Sequence, residues 1–154
     1  MSGFETAQAM IEELGPLLGA EAVAAFPEER TWSVILPSGA RFDVALDDDD
    51  EIMVFALDIG AVPKAAAARV HDMLLRLSFL WRESGGVAAA LDDTGAAALL
   101  LRRRLAALDP TAIARLMKQL ADYADRWAEI LEEAEAWPDE QDPPAPPPFV
   151  GVRV

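Results

Sequence analysis

One histidine, two carboxylate runs and one arginine run are the residues of this 154-residue chain best suited to acid–base, metal or anion chemistry. His71 is the only histidine and cysteine is absent, which leaves no His/Cys zinc ligand set, no thiolate nucleophile and no disulfide. Asp47 to Glu51 is a continuous acidic run. It lacks the spaced ligands and central glycine of a helix–loop–helix calcium site, so it reads as a solvated turn. Asp92-Asp93-Thr94-Gly95 reads the same way. Arg102, Arg103 and Arg104 fit an acidic partner and pairing with nearby carboxylates equally well. No glycine-rich phosphate loop is present. An enzyme needs polar groups converging in a pocket, and these residues supply neither a catalytic constellation nor a metal or cofactor site. His71 lies among apolar helix positions and reads as a packing or dimer-seam residue.

Composition narrows the partners further. Asp and Glu number 27 against 13 Lys and Arg, a formal charge of -14, which repels nucleic-acid phosphates and anionic lipid headgroups. At 53% hydrophobic residues the chain has ample apolar mass for one packed domain. Its apolar runs are broken by charges short of the roughly 20 residues a membrane span requires. The opening MSGFETAQAM lacks a basic segment followed by an apolar one, so no secretory signal is expected. A soluble, cytoplasmic protein is the expectation.

The elements follow from periodicity and turn chemistry. Ser2 with Glu5 has capping-box spacing, and Phe4, Ala7, Ile11 and Leu14 form one helical stripe that Gly15-Pro16 is expected to end. The alanine-rich Leu17 to Phe26 segment suggests a short second helix. Alternation at Trp32, Val34, Leu36 and at Phe42, Val44, Leu46 around Pro37-Ser38-Gly39 predicts a hairpin. Ile52 to Ile59 adds a third strand, apolar on both faces and therefore central. Pro63 opens a helix whose apolar arc, including Val70, Met73, Leu74, Leu77, Leu75 and Phe79, is wider than one sheet covers, so a second subunit is expected against it. Val87–Leu91 and Ala96–Leu101 flank Asp92–Gly95 as a second hairpin, with helix as the rival reading. Asp109-Pro110 caps a long helix carrying Ile113, Leu116, Met117, Leu120, Ala124, Trp127 and Leu131. From Pro138 a polar, proline-rich stretch, residues 138–154, predicts an extended or disordered flexible tail with Phe149-Val150 as a sticky end.

The order of Leu14-Gly15, Leu57, Gly60, Pro63, Leu74-Leu75, Gly85-Gly86, Leu91-Asp92, Gly95, Leu108-Asp109 and the Ala124, Trp127, Leu131 spacing resembles the class I type III secretion chaperones, the Tir-chaperone or CesT-like family, from Phe4 to Leu131. Ser78 stands where that family often has Asn, Leu17 to Glu29 is longer than usual, and the proline-rich tail lies outside the pattern.

The resemblance implies an α+β fold: a twisted antiparallel sheet of about five strands with three α-helices, in the order α-β-β-β-α-β-β-α, as a homodimer. The chaperone-like domain is expected over residues 1–137. It also implies a non-enzymatic function, binding the N-terminal segment of a secreted effector in extended form and delivering it to the secretion apparatus, with the secretion ATPase as a further candidate partner. Apolar grooves and an added strand are the expected modes of capture. The candidate effector contacts are Ile11, Leu14, Trp32, Val34, Leu36, Phe42 and Val44; the candidate dimer contacts are Val70, Met73, Leu74 and Leu77. The alternative is a regulatory adaptor, or an inhibitor of a basic protein, built on the same dimeric fold.

Overall fold

The computed structural model describes residues 1–149. Helix α1 (Gly3–Leu18) starts where the capping box places it: Ser2 Oγ accepts from Glu5 N and the Glu5 carboxylate accepts from Ser2 N. It does not stop at Gly15-Pro16. Proline lacks only its own N–H and sits in the last turn, so the helix runs on to Leu18 and ends at Gly19, whose φ of 59° is the left-handed cap conformation.

The alanine-rich segment that suggested a helix is instead strand β1 (Ala22–Phe26). Pairing with β2 (Thr31–Ile35), in register Val23 with Val34 and Ala25 with Trp32, overrides alanine's helical preference. The short 3-10 turn Pro27–Glu29 joins the two. Strands β3 (Arg41–Leu46) and β4 (Ile52–Gly60) complete the predicted meander, and the second hairpin is β5 (Ala88–Leu91) with β6 (Ala97–Arg104). The result is one antiparallel sheet of six strands rather than five, ordered β1-β2-β3-β4-β6-β5, with β4 central as its two-faced apolarity implied.

Helix α2 (Ala67–Phe79) begins one turn later than Pro63 suggested, because residues 64–66 form a 3-10 turn first. Helix α3 (Pro110–Ala134) is capped by Asp109, whose carboxylate accepts from Ala112 N at 2.7 Å. The core lies between one sheet face and the helices: Trp32, Val34, Phe42, Val44, Met53, Phe55, Leu57, Leu99 and Leu101 are all buried, together with Ile113, Met117, Leu120 and Trp127 of α3. The opposite-facing residues Ile35, Ala45, Val54, Ala56 and Leu100 are only half-buried.

Residues 138–149, expected to trail as a tail, double back and dock. Phe149 is buried against Tyr123, ring centroids 5.0 Å apart, and Tyr123 Oη donates to the Pro147 carbonyl at 2.6 Å. Val150, the other half of the predicted sticky end, lies outside the described residues.

Candidate functional site

The seven side chains expected to contact an effector are brought together, but as core. Ile11, Leu14, Trp32, Val34, Leu36, Phe42 and Val44 are all buried within the chain and present no surface to a partner. Trp32 shows why. Its ring stacks on Phe4 with centroids 5.3 Å apart, and its Nε1 donates to Gln8 Oε1, so it clamps α1 onto β2. Strand alternation separates two faces of a sheet without saying which one helices will cover. Here the Trp32/Phe42 face is the covered one.

The four expected dimer contacts are likewise buried within the single chain. Val70, Met73, Leu74 and Leu77 form the stripe by which α2 packs into its own core. The outward side of the same helix and the turn after it carry Leu75, Phe79, Leu80 and Trp81, all exposed large hydrophobics. Leu75 also lines a cleft of about 280 Å³ with His71, Leu74, Ala89, Ala90 and Leu91. His71 thus sits in apolar surroundings without a second titratable group in the cleft. Ser78 Oγ, in the position where Asn was expected, accepts from Ala89 N at 2.9 Å and ties α2 to β5. That contact covers part of one sheet edge.

Among the described residues no strand pairs with the other edge. All five residues of β1 are exposed, including Val23 and Phe26, and Leu17 at the end of α1 is exposed nearby in sequence. An unpaired edge strand with apolar side chains is a template for a further strand. Sequence reasoning missed it because alanine at positions 22, 24 and 25 carries a helical signal, and only the Val23–Ala25 alternation hints at a strand.

The charged clusters resolve into turns and anchors. Asp47 Oδ1 accepts from Glu51 N at 2.8 Å and Ile52 N at 3.0 Å, and the Ile52 hydrogen bond foremost holds its carboxyl below the usual range. Asp92 Oδ1 accepts from the Thr94 hydroxyl at 2.7 Å and from Thr94 N and Ala96 N, each at 2.9 Å. The Thr94 hydroxyl is the main reason its carboxyl is also lowered. Arg103 turns inward, donating to the Gly85 carbonyl at 2.8 Å, while Arg102 and Arg104 are exposed. Among the described residues no group of three or more His, Asp or Glu is placed to hold a metal ion, and no helix is long and apolar enough to cross a membrane.

The sequence model of the Tir chaperone protein (CesT) family matches residues 9–128, from the first helix through Trp127 and into the last turns of α3. The chain belongs to the Tir chaperone protein (CesT) family. Solved structures share its fold. One is a chain of the ExsC–ExsE complex, with TM-score 0.72 and 17% identity, covering 85% of this chain and 97% of that one. Another comes from the Yersinia pestis type III secretion chaperone SycH in complex with a stable fragment of YscM2, with TM-score 0.61 and 20% identity over 77% and 96%. A third is from the HopA1–SchA chaperone–effector complex, with TM-score 0.65 and 14% identity over 82% and 95%. No curated protein is significantly similar in sequence.

Proposed function

We propose that this CesT-family protein is a type III secretion chaperone: it binds the N-terminal segment of a secreted effector in extended form and keeps it ready for export. The observation that carries this reading is the family match over residues 9–128. Solved complexes of the same fold include a type III secretion chaperone with a partner fragment and a chaperone with its effector. The surfaces of this chain suit the task. The bare β1 edge offers unpaired backbone groups flanked by Val23 and Phe26, so an extended client can add a strand there while its apolar side chains lose water. A charge of -14 keeps a protein with such patches in solution.

We assign the client contacts to Leu17, Val23 and Phe26, the exposed large hydrophobics at the end of α1 and along β1. The protein acts by binding, without catalysing a reaction, in the bacterial cytoplasm. It works as a homodimer joined through the exposed side of α2, where Leu75 shares a cleft with Leu91 of β5 and Phe79 and Trp81 are exposed. Capture of the tagged protein from its native host, followed by mass spectrometry and light scattering of the eluate, tests the reading. One dominant secreted protein with two copies of this chain per client supports it. A dimer that elutes with a cytosolic regulator instead, or a monomer that gains no mass with any co-expressed effector, refutes it.

A further inference from the structure

The outer side of α3 is already occupied by an extended segment, and the contacts that hold that segment are of a kind any similar segment could make. After α3 the chain turns at Pro138–Gln141, with Gln141 N donating to the Pro138 carbonyl at 2.9 Å, and runs back beside the helix. It returns from Ala134 to the level of Tyr123, about 16 Å of helix. Three hydrogen bonds to backbone carbonyls fasten it. Arg69 Nη1 of α2 donates to Pro138 at 2.7 Å and Gln141 at 3.1 Å, and Tyr123 Oη donates to Pro147 at 2.6 Å. The Arg69 guanidinium also lies over the Trp137 ring, 5.5 Å from its centroid. Phe149 closes the strap as a single buried aromatic anchor, and Tyr123 meets Trp127 edge-on at 6.4 Å. A cleft of about 220 Å³ lined by Gln119, Asp122, Tyr123, Arg126, Pro148 and Phe149 remains beside the anchor.

Donors aimed at carbonyls beside an aromatic-lined groove are the elements by which proteins read polyproline-type segments. Such a segment is already extended before it binds, so it loses little conformational freedom on docking. Five of the seven residues from Pro143 to Phe149 are prolines, in the order PPAPPPF. Arg69 and Tyr123 each bind the strap through its backbone carbonyls.

We infer that the face formed by Tyr123 of α3 and Arg69 of α2 is a binding groove for extended proline-rich segments ending in an aromatic residue, filled in cis by residues 138–149 and exchangeable for a segment of that chemistry in a bound partner. The identity of that partner as a secreted client rests on the chaperone reading; the groove itself does not. Occupation in cis lowers the apparent affinity for any segment in trans by the fraction of time the groove is free.

The test uses a fluorescein-labelled peptide of residues 138–149 and fluorescence anisotropy on the full chain. Phe149→Ala and, separately, Trp137→Ala, which removes the ring under Arg69 but none of the groove's donors, loosen the two ends of the strap, and each is expected to bind the peptide at least about 10-fold more tightly than the unchanged chain. Adding Tyr123→Phe to either variant is expected to weaken peptide binding again several-fold, because the Pro147-type carbonyl loses its donor. Trp137 is partly exposed, so its variant serves if Phe149→Ala does not fold. If the folded variants, judged by circular dichroism, bind the peptide no better than the unchanged chain, the strap is a fixed part of the core and the inference falls. No client takes part in this assay, so its outcome is independent of whether the chaperone reading holds.

Discussion

Phe79→Ala separates the two faces of α2 more sharply than any other single change. The side chain is 83% exposed at the last residue of the helix, with Leu75 at 72% exposure one turn earlier. Burying a phenylalanine fully is worth about 2 kcal/mol, so covering this one at a two-fold interface contributes about 1.7 kcal/mol per copy and about 3 kcal/mol per dimer. At 1.4 kcal/mol per decade, its removal is expected to weaken dimerisation by roughly 100-fold to 200-fold. The fold of the single chain should be untouched, since alanine is the better helix former. Leu74→Ala, on the buried side of the same helix, should do the opposite and cost the fold about 2–5 kcal/mol by opening a cavity. Sedimentation equilibrium across a dilution series, paired with urea unfolding of each variant, reads both effects. An unchanged association constant for Phe79→Ala, or a wild-type chain that is monomeric at micromolar concentration, would refute the assignment of this face to the dimer.

Three further outcomes follow from the geometry. Trp32→Ala removes the clamp on α1 and is expected to cost about 3–5 kcal/mol in chemical denaturation, with early loss of helical signal; a loss below about 1 kcal/mol would show that α1 is held elsewhere. Replacing Val23 and Phe26 with Lys on the exposed β1 edge should leave the melting temperature within a few degrees while sharply reducing recovery of the client in the native-host capture; undiminished recovery would move the client off that edge. Asp92 has a folded pKa below its ordinary 3.8, so the stability its carboxylate contributes is present above that value and is lost as pH falls through the folded pKa. Asp92→Asn keeps the acceptor oxygen but not the titration. The melting-temperature gap between wild type and variant should therefore shrink from about pH 6 to about pH 2, and parallel profiles would contradict the assignment.

Local rules determined most of the elements from the residues alone. The Ser2/Glu5 and Asp109-Pro110 caps, the Trp32–Leu46 alternation, the two-faced apolarity of Ile52–Ile59 and the 3.6-residue period through Trp127 each act within a turn or a hairpin, so they are legible without the rest of the chain. Their order was enough to suggest the family. Three things waited for the tertiary structure. Alanine at positions 22, 24 and 25 prefers helix in isolation, and only the partner strand at Thr31–Ile35 makes it an edge strand. Periodicity shows that Trp32, Val34, Phe42 and Val44 share a face, and that Val70, Met73, Leu74 and Leu77 do, but which face is covered depends on where the helices land. The proline-rich strap has no hydrogen-bonding period of its own, and its place is set by Arg69 and Tyr123, 69 and 24 residues away along the chain from the carbonyls of Pro138 and Pro147 they bind. Faces, edges and docking partners are properties of the assembled layers, and burial decides them.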